Sequence, residues 1–311
     1  MRSDPNAAAA RENGPGQTVW LASFPKSGNT WMRAIVTALQ TGDHLFAVNQ
    51  LGSGAQPFHV GGAVGRWGMD VRWVDNDEIE VLRSAMTHRR VAPPSDAPPM
   101  LRKTHELYRP GSDGREPFPL AATRAAILIV RDPRDVACSY APFFGTNLAG
   151  AVASMQIDRP AYPNPAQQSA RQPWGSWSSH TLSWLDETVP FPVHLVRYED
   201  MRSDAVGVLK PVFDAIGMPV PTEDLAAAVE RTRFDRLKSD ETDKGFRETS
   251  PKTRTFFRKG RAGGWREELP ENLVARLRDD HGPVMEMLGY HGTEPTPSDD
   301  DAVSVVTPVP Q

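Results

Sequence analysis

Val19-Trp20-Leu21-Ala22-Ser23-Phe24-Pro25-Lys26-Ser27-Gly28-Asn29-Thr30-Trp31 runs from an apolar segment through a tight polar turn into a helical pattern that continues to Thr41. A strand, a short loop and a helix N-terminus in that order make an anion site, because the unpaired N–H groups of the first helical turn and the helix dipole both face the loop. Gly28 lets the backbone approach a ligand closely, Lys26 supplies a point charge, and Ser27, Asn29 and Thr30 add side-chain donors. The nucleotide triphosphatase loop ends in Gly-Lys-Ser/Thr; this one does not, which counts against a kinase or an ATPase. Taken alone, the stretch could also be a Pro/Ser/Gly turn that only caps a helix.

Working outward, Val19–Phe24, Met100–Thr104, Ala126–Arg131 and Val193–Tyr198 read as short buried parallel strands. Helical patterns fall at Thr30–Thr41, Asn76–His88, Arg134–Phe144, Ser176–Thr188, Asp204–Ile216, Thr222–Arg231 and Glu271–Leu288. Strands alternating with helices predict a three-layer α/β/α, P-loop-like fold around a central parallel sheet. Asp43–Trp73 and Gly145–Gly175, rich in Gly, Pro, Gln and aromatics, read as loops or lids. Residues 1–16 and 292–311 lack periodicity and read as disordered, the latter acidic, which leaves 17–291 as one domain.

With 39% hydrophobic and 24% charged residues, the 311-residue chain can bury a proper core. It has no run of 18 apolar residues and no secretory leader at its start, so neither membrane insertion nor export is expected. Cys138 is the single cysteine, which rules out an internal disulfide framework and suits the cytoplasm. Four acids of the tail (Glu294, Asp299, Asp300 and Asp301) account for the net charge of -4. A neutral body argues against nonspecific nucleic-acid binding while allowing a local cationic pocket. No His/Cys spacing suits zinc, so no metal is expected.

Ser23 to Trp31 resembles the 5'-phosphosulfate-binding loop of the sulfotransferases that use 3'-phosphoadenosine 5'-phosphosulfate (PAPS), and three further segments match that family in the same order. Lys103-Thr104-His105 resembles its Lys-Ser/Thr-His element, which implies that His105 is the catalytic base. Ile129-Val130-Arg131-Asp132-Pro133-Arg134-Asp135, followed by Ser139, resembles its 3'-phosphate-binding strand-loop-helix, with Arg131 and Ser139 at the contacting positions. Arg258-Lys259-Gly260-Arg261-Ala262-Gly263-Gly264-Trp265 resembles the loop that also grips that phosphate, through Arg258, Lys259 and Gly260. Tyr198, Thr232 and Phe234 fall where the family places adenosine contacts. The resemblance spans residues 19 to 265 and implies PAPS as co-substrate, adenosine 3',5'-bisphosphate as product and no metal. Lys26, with Ser27, Gly28, Asn29, Thr30 and Trp31, would hold the 5' side, and Lys26 with Lys103 would stabilise the transferring group.

The segment Trp265–Leu269 and the ending Leu288-Gly289-Tyr290 look like bacterial members. Gly264 stands where many animal enzymes have Asp, and the Lys-x-x-x-Thr-Val dimerisation element is not present after Trp265, so a homodimer would need another mode.

The pieces also make physical sense by themselves. A histidine titrates near pH 6.5 and can take a proton from an attacking hydroxyl, and the carboxyl end of a strand is where open α/β sheets place ligands. A lone histidine is ordinarily a packing residue; the neighbouring Lys103 sets His105 apart from the other seven. Arginines can fork onto phosphate oxygens, the contact that separates PAPS from ordinary adenosine nucleotides. Sulfuryl oxygens carry less charge than phosphoryl oxygens, so magnesium is not required.

Cys138 reads as a small buried residue, and Trp20, Trp31 and Trp184 as core. Phe58, Trp67, Trp73, Phe143, Phe144, Tyr162, Trp174 and Trp177 are candidates to line an acceptor pocket. The acceptor is expected to be a hydroxyl or amine of a small molecule, such as a glycopeptide, nucleoside or phenolic secondary metabolite of the kind made in antibiotic biosynthesis. A small-molecule kinase and a noncatalytic nucleotide-binding module are the rival readings.

Overall fold

The computed structural model describes residues 14, 16–42, 46–51, 99–110, 114, 116, 118–158 and 173–290. Strands β1 (Thr18–Ser23), β2 (Met100–Thr104), β3 (Thr123–Val130) and β4 (Val193–Arg197) form an all-parallel sheet in the order β2-β1-β3-β4. Leu21 lies beside Lys103 on one side and Ile127 on the other. Successive side chains of a strand point to opposite faces, and here both faces are covered. Val19, Leu21, Ala125, Ile127 and Val196 pack against α1 (Asn29–Thr41), α5 (Tyr198–Ala215) and α6 (Thr222–Arg231). Trp20, Ala22, Ala126, Leu128 and Val193 pack against α2 (Pro133–Phe144), α3 (Leu148–Met155), α4 (Trp177–Trp184) and α9 (Glu271–Met287). Burial from two sides is why the strands read as continuous apolar runs.

The expected three-layer α/β fold is therefore present, and its winding places the site. The helix after β1 leaves on one face and the helix after β3 on the other, so a crevice opens between them at the carboxyl edge of the sheet.

Local sequence explains the helix ends. Asp132 caps α2, its carboxylate accepting from the Arg134 amide at 2.9 Å with Pro133 in the first turn, and Gly145 ends the helix at φ 66°. Helix α5 starts at Tyr198, six residues before the expected Asp204, yet Asp204 has a non-helical φ of -148° and its side chain caps the Gly207 amide at 2.8 Å. The sequence signal at Asp204 thus marks an internal restart.

Two helices were not expected. Helix α3 lies inside the segment read as a lid; Leu148, Ala151, Val152 and Met155 repeat at helical spacing behind an Asn147 cap, but Gly150 and the short length mask the pattern. Helix α7 (Phe234–Lys244) is strongly charged and buries only Leu237 and Glu241. A single turn, α8 (Trp265–Glu268), precedes α9.

Gly14 and Gly16 donate to the carbonyls of Arg124 and Thr123, so ordered pairing begins before residue 17. The expected Asn76–His88 helix and the acidic tail lie outside the described residues, as does most of Asp43–Trp73. No described helix is long and apolar enough to cross a membrane.

Candidate active site

At the carboxyl edge of the sheet lies a cleft of about 860 Å³. Its described walls carry nine Lys or Arg residues against three carboxylates, a local excess of positive charge in a chain whose net charge is -4. Such a wall suits a polyanion.

The first wall is the turn after β1. Asn29 donates from Nδ2 to the Leu21 carbonyl (3.0 Å) and to Ser23 Oγ (3.1 Å), pinning the turn to its strand. Lys26 sits at φ 71°, a left-handed conformation that costs a non-glycine residue about 1–2 kcal/mol. Gly28 caps α1 at φ 108°, and a β-carbon there would stand 2.6 Å from the Tyr198 ring, so only glycine fits. Trp31 Nε1 and Arg131 Nε, on residues that line the cleft, are buried polar atoms with no partner, whereas buried polar groups are ordinarily satisfied. Unsatisfied donors around a glycine cradle fit an anionic nucleotide.

The second wall carries His105 and Lys103 from the end of β2. His105 Nδ1 lies 2.7 Å from the Ser23 carbonyl. A carbonyl only accepts, so Nδ1 carries the proton and Nε2 keeps a free lone pair. Burial, reinforced by the Lys103 charge, holds the imidazole well below its ordinary 6.5, so it is neutral at physiological pH. Lys26 Nζ lies 4.1 Å from the centre of the Phe143 ring and 3.8 Å from that of Phe256, a cation held between two aromatic faces. Burial, then the charges of Arg131 and Lys103, lower this ammonium to about 7.

The third wall joins the β3–α2 turn to the loop before α8. The Asp135 carboxylate accepts from the amides of Gly263 (2.7 Å) and Trp265 (2.9 Å), tying the two loops together. Burial raises its pKa. The Arg131 guanidinium stacks 4.4 Å above the Tyr198 ring and donates to the Arg261 carbonyl at 3.0 Å. Tyr198 in turn donates to the Gly260 carbonyl at 3.1 Å, and a β-carbon on Gly260 (φ 65°) would fall 1.9 Å from the Phe234 ring. Arg258 forks onto the Glu268 carboxylate at 2.6 and 3.1 Å, and Lys259 reaches the same group at 2.7 Å. Against a burial penalty, those two cations hold Glu268 below the usual carboxylate range.

The fold thus brings Lys26, Gly28, Asn29, Thr30, Trp31, Lys103, His105, Arg131, Ser139, Tyr198, Phe234, Arg258, Lys259 and Gly260 around one cleft, although they span 235 positions of chain. Two expected residues do not face it. Ser27 is wholly buried, and Thr232 is buried with its hydroxyl donating to the Ala228 carbonyl at 2.9 Å. Trp31, expected both in the core and on the 5' side of the co-substrate, is only partly buried and lines the cleft, while Trp20 and Trp184 are core. Of the loop aromatics, Phe143, Phe144 and Trp174 line the cleft; Trp177 is buried and donates to the Arg131 carbonyl at 3.2 Å, and Phe58, Trp67, Trp73 and Tyr162 lie outside the described residues. Burial raises the Cys138 thiol to about 12, as suits an inert packing residue.

Sequence reasoning passed over Asp135, Glu248 and Glu268. The first and last sit inside quoted motifs, and the offset between opposed charges was the available signal. Glu248 carries no local pattern. Among the described residues no group of three or more His, Cys, Asp or Glu is placed to hold a metal.

Comparison with known proteins agrees with this fold. A family model described as a sulfotransferase domain matches residues 17–289. A flavonol 3-sulfotransferase from Flaveria bidentis is 23% identical over 287 residues, covering 83% of this chain and 78% of that protein. Sulfotransferase 1A1 from Canis lupus familiaris is 24% identical over 52% of this chain and 55% of its own length. Among solved structures, a mouse sulfotransferase complexed with PAP superposes with a TM-score of 0.54 at 18% identity, covering 92% of this chain and 90% of that one. A retinol dehydratase in complex with androsterone and inactive cofactor PAP gives a TM-score of 0.55 at 18% identity, covering 91% and 84%. The family match runs through every strand of the sheet and every loop that builds the cleft, and by it this chain belongs to the sulfotransferase family of enzymes.

Proposed function

We propose that this enzyme transfers the sulfuryl group of PAPS to a hydroxyl, or an amine, of a small acceptor molecule in the cytoplasm. The observation that carries this reading is the set of Lys and Arg side chains that distant chain segments bring around one cleft, with a neutral, tautomerically fixed histidine facing it. PAP in the similar solved structures supports the choice of donor. Bound there, PAPS supplies an electrophilic sulfur and a phosphate leaving group.

The chain's own residues do the rest. His105 accepts the acceptor's proton at Nε2, and its Nδ1–H bond to Ser23 keeps the ring aimed while it charges. Lys26 and Lys103 place positive charge beside the leaving oxygen and the transferring group, where negative charge grows. Arg131, Ser139, Arg258 and Lys259 hold the 3'-phosphate, and Tyr198, Trp31 and Phe234 enclose the base. Phe144, Trp174 and Ile157 make the remaining wall apolar, which suits a small secondary metabolite with an aromatic or otherwise apolar body.

Incubation with labelled PAPS and a panel of hydroxylated and amine acceptors, read by mass gain, tests the reaction. His105→Ala should abolish turnover and leave the affinity for adenosine 3',5'-bisphosphate, measured by calorimetry, within about threefold of the parent. Loss of both properties, or of neither, contradicts the role given to His105. No preference of the parent for the bisphosphate over AMP contradicts the donor.

A further inference from the structure

Glu248 lies just beyond α7 and belongs to none of the motifs, yet its carboxylate sits in the cleft wall between two cations, Arg33 and Lys103. Oε1 is 2.7 Å from the Arg33 guanidinium of α1, and Oε2 is 3.6 Å from Lys103 Nζ of β2. The Arg33 side chain is 1% exposed. Each oxygen of the carboxylate therefore has its own cation, and the three groups bridge a helix, a strand and the loop that closes the cleft.

We propose that Glu248 is a positioning residue of the transfer reaction, anchored by Arg33 and holding the Lys103 ammonium, charged, beside His105. This inference rests on the sulfuryl-transfer reading above. The titratable groups facing Lys103 among the described residues are Arg33, Lys26, the neutral His105 and Glu248, and of these only Glu248 is negative. Burial and the Arg33 charge both push Lys103 toward its neutral form, and the carboxylate opposes them. A neutral Lys103 could still donate a hydrogen bond but would stabilise no growing negative charge. Without the carboxylate between them, Lys103 would face the Arg33 charge directly and would move away from it.

The experiment compares the parent with Glu248→Gln, Glu248→Asp, Lys103→Met and the Lys103→Met/Glu248→Gln double variant, after sulfation of an acceptor from PAPS has been measured for the parent. The glutamine variant should lose roughly tenfold or more in kcat. Its KM for the acceptor and its affinity for the bisphosphate should change by less than about threefold. Its rate should also fall off at lower pH on the alkaline side than the parent's. Glu248→Asp, which keeps the charge, should recover part of the loss, and the double variant should be no slower than Lys103→Met alone. Parental kcat in Glu248→Gln, an unmoved alkaline limb, or losses that multiply in the double variant would overturn the proposal. A parent that moves no sulfuryl group from PAPS overturns the underlying reading instead, and the inference with it. Bisphosphate binding by each variant shows that the fold has survived.

Discussion

Raising the pH should loosen this enzyme's hold on adenosine 3',5'-bisphosphate, and the proton on Lys26 is the reason. Burial and the nearby Arg131 and Lys103 charges bring that ammonium to about 7, from an ordinary 10.5. Bringing phosphate groups beside it reverses the imbalance, so the complex keeps Lys26 charged where the free protein does not. The complex then holds more protons than the free protein, and affinity must fall as pH rises. Above pH 7 the protonated fraction drops about tenfold per pH unit, worth about 1.4 kcal/mol each. Half the molecules are charged at pH 7 and about one in a hundred at pH 9, which predicts roughly fifty-fold weaker binding across that range.

Two other titrations do not interfere. The phosphate's second ionisation, near pH 6, is about nine-tenths complete at pH 7 and what remains would act in the opposite direction, and His105 is already neutral. Calorimetric titrations from pH 7 to 9, repeated in buffers of different ionisation heat, read both the affinity and the proton taken up. Lys26→Arg, whose guanidinium stays charged throughout, should flatten the profile. A flat profile in the parent, or an equal slope in Lys26→Arg, would refute the argument.

Two further outcomes follow from the third wall. Gly260→Ala must force a β-carbon against the Phe234 ring at a left-handed φ of 65°, and should weaken bisphosphate binding at least tenfold while circular dichroism stays unchanged; unaltered affinity would mean that the close approach is not needed. Glu268→Gln frees Arg258 and Lys259 from a competing carboxylate and should tighten bisphosphate binding by about three- to tenfold, so weaker binding would show that Glu268 positions those cations instead.

Much of the molecule was legible before any coordinates. The strands at Val19, Met100 and Val193 and the helices at Thr30, Arg134, Thr222 and Glu271 start within a residue of their observed positions, because parallel strands buried on both faces and amphipathic helices leave strong local patterns. β3 is longer than expected, because Thr123 and Ala125 also pair with β1, across a register shift that skips Arg124. Helices α3 and α7 escaped notice since glycine or charge obscured the apolar spacing and tertiary packing supplied the stability.

Sequence alone determined the chemistry available to this protein: which side chains can carry a proton, grip a phosphate or allow a backbone to come close. The tertiary structure decided the states in which those groups meet. It fixed the His105 tautomer against Ser23, turned Thr232 into the helix-bound interior, and set Glu248 and Glu268 against cations more than a hundred and about ten positions away. Charge and burial are properties of surroundings, and surroundings are assembled from distant chain segments, so no local pattern of residues encodes them.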